Sequence, residues 1–263
     1  MSEALFIRAD VLAQISPDTA TRSDHTAASM DHGNNAELPA IKAVVFDLDG
    51  LMFNTEAVFN RAGTELLRRR GKEPHPELFK RMMGRRPVDG FAVMIELMSL
   101  TETYEELLLE SEQIFTGMLD DHLAPMPGLY ELLELIEDRG LHKGVATSSP
   151  RRYLDNLLER FGLGDRFQVT LAAEDVSHGK PDPEIYLKAA ARLGVDAHEM
   201  LVLEDSEMGT RAAAAAGAYI ISVPHEFSCA QNFEAARCTA GSLVDPVILR
   251  LLDEPRPLAR RSV

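Results

Sequence analysis

The chain is predicted to be an α/β protein, a doubly wound parallel sheet interrupted by an all-helical insertion. Three observations lead there. Short apolar runs such as Val44-Val45-Phe46, Met200-Leu201-Val202-Leu203 and Tyr219–Val223 read as buried strands. In the second half they alternate with short amphipathic helices, a pattern that implies a parallel sheet covered on both faces. Between Glu56 and Leu123 no strand pattern occurs and helical stretches follow one another.

Residues 1–39 are expected to form a flexible extension, because from about Ser16 to Pro39 the chain is polar and lacks hydrophobic periodicity. The core is expected at 40–55 and 124–263. Its first strand runs into Asp47-Leu48-Asp49-Gly50, where glycine lets the backbone turn out of the sheet. The insertion, 56–123, begins with a helix from Glu56 to Arg70, with Phe59, Ala62, Leu66 and Leu67 at helical spacing and Gly71 as its stop. Helices around Val88–Ser99 and Thr103–Leu119 follow.

Pro127-Gly128 opens a helix ending at Arg139-Gly140, and Leu141–Thr147 reads as a strand. Pro150 begins the next helix, whose stripe of Leu154, Leu157, Leu158 and Phe161 closes at Gly162. Phe167–Ala172 is a strand, and Asp182-Pro183 reads as an N-cap followed by the first helical residue. After Met200–Leu203 come a helix over Gly209–Ala216 and a final strand, Tyr219–Val223.

The bulk composition narrows the function. A formal net charge of -15 argues against broad electrostatic binding to nucleic acid or anionic membrane, while leaving a small phosphorylated metabolite open. Only Cys229 and Cys238 are present, which suggests no disulfide framework and a reducing cytoplasm. No apolar run has membrane-spanning length, and the first residues lack a secretory pattern, so a cytoplasmic protein, taken as a monomer, is expected. Neither GxxxxGK[ST] nor GxGxxG occurs, and the eight His show no metal-ligand spacing.

Four polar clusters fall at predicted strand ends or in loops beside them: Asp47 and Asp49, Thr147-Ser148-Ser149, Gly179-Lys180-Pro181-Asp182, and Glu204-Asp205. Each has an ordinary structural reading. The Asp pair can be a turn, Ser148 or Ser149 a helix cap, Lys180 a solvated charge, and Glu204-Asp205 a helix-start pair. One shared site is the more economical account, since ligands in such sheets bind at the carboxyl ends of the strands. Asp47, Asp49, Glu204 and Asp205 together demand a hard cation, and Mg²⁺ fits an all-oxygen set that must also accept phosphate. Thr147 and Lys180 can neutralise the remaining phosphate oxygens, leaving one Asp to attack phosphorus and the other to protonate the leaving oxygen. In the insertion, Arg85 follows Gly84 in an expected loop and can reach a substrate oxygen; a solvated loop charge is the equal alternative.

The segments AVVFDLDGLMFNTE, GVATSS, HGKPDPEIYL and VLEDSEMGTRAAAAAG occur in an order that resembles the haloacid dehalogenase-like superfamily of phosphohydrolases, over roughly residues 41–225. The nearest look is to its pseudouridine-5′-phosphatase and β-phosphoglucomutase branch. The resemblance implies a Rossmann-like core with a mobile helical cap. It also implies Asp47 as nucleophile, Asp49 as general acid/base with its backbone carbonyl on the metal, Thr147, Ser148 and Lys180 on the phosphoryl group, and Glu204 with Asp205 completing the Mg²⁺ site. The expected activity is a Mg²⁺-dependent phosphatase acting on a sugar phosphate or nucleoside monophosphate through an aspartyl-phosphate. Two departures stand out. Asn54 occupies a position usually held by Asp, and Phe59 stands where mutase relatives carry His, which disfavours a phosphomutase. A dehalogenase would leave the metal-binding acids without a role, and a non-catalytic binding protein would not need Asp47.

Overall fold

The computed structural model describes residues 40–82 and 87–253. The first strand, β1 (Ala43–Phe46), leads into four consecutive helices: α1 (Thr55–Arg68), α2 (Leu78–Met82), α3 (Pro87–Met98) and α4 (Tyr104–His122). There follow α5 (Leu129–Asp138), β2 (His142–Ala146), α6 (Arg151–Arg160) and β3 (Val169–Leu171). The chain continues through α7 (Glu184–Leu193), β4 (Met200–Glu204), α8 (Glu207–Ala215), β5 (Tyr219–Ser222), β6 (Cys238–Thr239) and α9 (Pro246–Asp253).

The six strands form one parallel sheet in the order β3-β2-β1-β4-β5-β6. The chain builds β2 and β3 on one side of β1, then crosses to place β4 on the other. This reversal makes the carboxyl end of β1 a topological switch point, the crevice where open α/β sheets bind ligands. Alternation along the strands explains the two cores. Val44 and Phe46 of β1 join Val145, Leu201 and Leu203 in a cluster with α5, α6 and α9, while Ala43 and Val45 join Val202 and Ile220 in a second cluster under α7 and α8. With helices on both faces, β1 is fully buried.

The insertion is helical, as the missing strand periodicity indicates. Thr103 caps α4 through a reciprocal box, its hydroxyl accepting from Glu106 N–H at 3.3 Å while the Glu106 carboxylate accepts from Thr103 N–H at 2.9 Å. Arg70, two residues past α1, binds Glu110 of α4 at 2.7 Å and Glu102 at 2.6 Å, tying α1 to the start of α4.

Several local expectations need correction. In α1 the buried stripe is Val58, Ala62, Leu66 and Leu67; Phe59 is 42% exposed and stacks on Phe115 with ring centroids 4.2 Å apart. Pro150 precedes α6 in extended geometry rather than beginning it. Pro183 likewise stands just before α7, with Asp182 Oδ1 accepting from Glu184 N–H at 3.0 Å. Tyr219–Val223 is not the last strand, since β6 pairs beyond it. Helices α2 and α9 carry no signal that the sequence analysis registers. No helix among the described residues is long and apolar enough to cross a membrane. The extension 1–39 and Arg85 lie outside the described residues.

Candidate active site

Three adjacent strands, β2, β1 and β4, end side by side, and the polar residues that follow them meet above the sheet. Asp47 continues β1, its N–H donating to Leu203 O at 3.0 Å. Glu204 closes β4 and Asp205 follows it. Each of these three buried acids can offer an oxygen within 4.8 Å of the other two. Asp49 lies one turn further, where Gly50 takes a left-handed φ of +80° and donates its N–H to Thr55 Oγ1 at 3.1 Å. A helix-start role for Glu204 and Asp205 is thereby set aside. Helix α8 is capped by Ser206, whose hydroxyl accepts from Gly209 N–H at 3.1 Å, and the two acids are buried instead of decorating its first turn.

Lys180 is no solvated charge. Its side chain is 5% exposed, and its ammonium donates to Asp47 Oδ1 at 2.5 Å, Glu204 Oε1 at 2.6 Å and Ala146 O at 3.0 Å, using all three donors. Glu204 is equally committed. Oε1 also accepts from Tyr186 OH at 2.7 Å, and Oε2 accepts from Ser206 N–H at 3.2 Å and Ser206 Oγ at 2.9 Å. Gly209 makes room for this carboxylate, because a Cβ there would fall 1.6 Å from Glu204 Oε1.

Asp49 is held by hydroxyls. Oδ2 accepts from Ser149 Oγ at 2.6 Å, with Thr147 Oγ1 at 3.4 Å, and Oδ1 accepts from Tyr153 OH at 3.1 Å. Thr147 is buried and accepts from Ser149 N–H at 3.0 Å, whereas Ser148 is exposed on the same loop. Neither serine caps α6, so the capping alternative is also set aside. A pocket of about 200 Å³ opens on the side of Thr147 and Lys180 away from the acids, none of which lines it; Ser148, Val176, Gly179 and Ile185 are among its walls.

The electrostatics follow from burial. Desolvation pushes the Asp47 carboxyl well above its usual range, and Glu204, Asp205 and Asp49 add to the rise while Lys180 opposes it. Asp205 is raised for the same reasons, burial first and Glu204 next. Burial works against the Lys180 charge, yet Asp47 and Glu204 outweigh it and keep the ammonium protonated. Within this cluster, one ammonium thus serves four carboxylates, counting Asp49. A donor set made only of oxygens, buried and short of positive charge, fits Mg²⁺.

Sequence reasoning misses Ser149's contact with Asp49 and the roles of Tyr153, Tyr186, Ser206 and His225. His225 Nε2 lies 2.9 Å from Asp205 Oδ2, in the loop after β5. Its place beyond a strand's carboxyl end is the available signal. Glu56 is missed as well; its carboxyl is pushed up to about 6, by burial first and then by Asp49. Asn54 turns out to suit its place. Between the start of α1 and the end of α4, its Oδ1 accepts from Ala124 N–H at 2.7 Å and its Nδ2 donates to His122 O at 3.1 Å. An aspartate could make only the first of these bonds.

The chain is also similar to known proteins. The phosphorylated carbohydrates phosphatase of Thermotoga maritima is 32% identical over 181 residues, covering 67% of this chain and 82% of that protein. Hexitol phosphatase B of Escherichia coli K12 is 30% identical over 197 residues, covering 70% and 84%. A HAD-family hydrolase from Deinococcus radiodurans R1, solved with bound phosphate and sodium, superposes with a TM-score of 0.67 at 25% identity, covering 78% of this chain and 93% of that one. The family model described as haloacid dehalogenase-like hydrolase matches residues 44–223, from β1 to the residue after β5. A match spanning every strand end that contributes to the acid cluster makes this chain a member of the haloacid dehalogenase-like hydrolase family.

Proposed function

We propose that the protein is a Mg²⁺-dependent phosphatase of small phosphomonoesters, with phosphorylated carbohydrates as the favoured class. The observation that carries this reading is the buried cluster of Asp47, Glu204 and Asp205 with Lys180 bridging two of them, at the switch point of the sheet. The carbohydrate preference rests on the substrates named for the Thermotoga and Escherichia relatives.

In this mechanism an Asp47 oxygen attacks phosphorus and the bond from phosphorus to the substrate's alkoxide oxygen breaks. Asp49 gives its proton to that oxygen, and the alcohol leaves. Asp49, now a base, takes a proton from water as the water oxygen attacks the aspartyl-phosphate, returning Asp47 and releasing phosphate. Ser149 and Tyr153 hold Asp49 for both steps. Thr147 and the Ser148 loop bind the phosphoryl oxygens, and Lys180, expected among those ligands but with its three donors on Asp47, Glu204 and Ala146 O, sets its positive charge beside them and stabilises the charge that grows there. Asp47, Asp205 and the Asp49 carbonyl would hold Mg²⁺; Glu204, expected as a further ligand, has both carboxylate oxygens engaged by Lys180, Tyr186 and Ser206 and closes the acidic wall behind Lys180 instead, and the ion would supply positive charge to the phosphoryl oxygens. The helical block 56–123 acts as a cap that excludes water and touches the substrate beyond its phosphate, with Arg85 as one contact. Phe59 offers no titratable group to a returning hydroxyl, which favours hydrolysis over mutase chemistry.

The test is phosphate release from a panel of phosphorylated sugars, polyols and nucleosides with Mg²⁺ present. Asp47→Asn should abolish turnover while keeping the native fold by circular dichroism, because an amide is a poor nucleophile, and should melt below the wild type because Lys180 loses a buried carboxylate partner. Near-wild-type release by that variant would sink the assignment.

A further inference from the structure

His225 is the polar partner of Asp205, and nothing in the reaction above uses it. It lies two residues past Val223, and its side chain is 12% exposed. The surrounding loop fixes the ring. His225 N–H donates to Ser228 Oγ at 3.1 Å, and its carbonyl accepts from Ser228 N–H at 3.0 Å and Cys229 N–H at 2.9 Å. The ring packs edge-on against Phe227 at 5.8 Å.

The same loop fixes the tautomer. Phe227 N–H donates to His225 Nδ1 at 3.2 Å, so Nδ1 is the bare nitrogen of a neutral ring. The proton then sits on Nε2, which donates to Asp205 Oδ2. Gly50 closes the arrangement, since a Cβ there would fall 2.4 Å from Asp205 Oδ2 and 2.7 Å from His225 Nε2.

We infer that His225 is a positioning residue for the metal site, donating from Nε2 to Asp205 Oδ2 and leaving the other carboxylate oxygen for a divalent cation. This rests on the Mg²⁺ reading above. A carboxylate ligand fixed by an outer hydrogen bond binds its ion more tightly than one free to rotate, and losing such a partner typically costs about 10–100-fold in affinity.

The experiment is Mn²⁺ binding to metal-free full-length protein, followed by the spin-resonance signal of free Mn²⁺ without substrate, with Mg²⁺ as competitor. Wild-type protein that binds neither ion overturns the metal reading itself. If the wild type binds, His225→Ala should weaken both ions by about tenfold or more, with an unchanged melting temperature in EDTA. His225→Gln should recover most of the affinity, because its amide NH₂ can take the place of Nε2–H. Equal affinity of His225→Ala and wild type overturns the inference, as does His225→Gln no tighter than His225→Ala. Should the alanine variant fail to fold, His225→Phe fills the ring's place without a donor, and its affinity against His225→Gln decides in the same way.

Discussion

Replacing Gly209 with alanine separates a catalytic constraint from ordinary helix physics. Gly209 lies in the first turn of α8, where alanine should stabilise a helix by up to about 1 kcal/mol. The site predicts the opposite sign. The new Cβ would stand 1.6 Å from Glu204 Oε1, 2.0 Å from Cδ and 2.4 Å from Oε2, so the carboxylate must retreat by about 1.4 Å to reach a 3.0 Å separation. Four donors hold that carboxylate at 2.6–3.2 Å, and such a shift breaks at least one or two of them. A hydrogen bond to a charged group contributes about 1.5–3 kcal/mol, so the net cost should be about 2 kcal/mol or more after the helix gain. For a domain of this size that is a melting shift of about 4–8 °C downward. Lys180 loses its anchor on Glu204, and a misplacement of this order in the positive charge beside the nucleophile should lower kcat/KM about 100-fold. Thermal melting and phosphate release measure both. A Gly209→Ala protein that melts above the wild type and keeps its turnover would refute the packing argument.

Removing the metal with EDTA should silence phosphate release and Mg²⁺ should restore it, with Ca²⁺ inferior because its looser coordination misplaces the phosphoryl group; full turnover in verified metal-free protein would count against this. Glu56, raised to about 6 from an ordinary 4.5, favours the fold when protonated, so its contribution is present below pH 4.5 and is lost as pH rises through 6. In EDTA, Glu56→Gln should therefore raise the melting temperature at pH 8 but not at pH 4.5, and equal shifts at both would contradict the sign. Asn54→Asp keeps the bond from Ala124 N–H but sets a carboxylate against the His122 carbonyl, so a loss of about 1 kcal/mol in denaturant unfolding is expected.

The sheet is legible because its strands carry the signal that sheets require. Val44–Phe46 and Leu201–Leu203 are apolar on both faces, as a strand covered on both sides must be. The two-residue β6 offers no period to detect, and the five-residue α2 little more. Phe59 reads as part of the buried stripe because 3.6-residue periodicity tolerates a neighbour, and packing chooses Val58. Within the site, Asp47, Asp49, Thr147, Lys180, Glu204 and Asp205 are visible as polar interruptions at apolar strand ends and in the loops beside them. Their supports are not. Tyr153 is 104 residues from Asp49, and His225 is 20 from Asp205, so neither pairing leaves a local pattern.

What the sequence does not convey is how completely the acids are engaged. Lys180 cannot be a freely mobile phosphate ligand while it spans Asp47, Glu204 and Ala146 O. Its three bonds place positive charge beside the proposed nucleophile and keep it there, with Tyr186 and Ser206 fixing Glu204 from behind. Breaking a buried ion pair by removing one partner costs about 3–5 kcal/mol, so this triad resists rearrangement. Asp49 has the contrasting environment, three hydroxyls and no ammonium among its hydrogen bonds. A hydroxyl can turn to donate or accept, so it tolerates a carboxyl that must be acid in one step and base in the next. The fold thus gives one aspartate a fixed charge and the other adaptable neighbours, the division of labour that a nucleophile and a proton shuttle require.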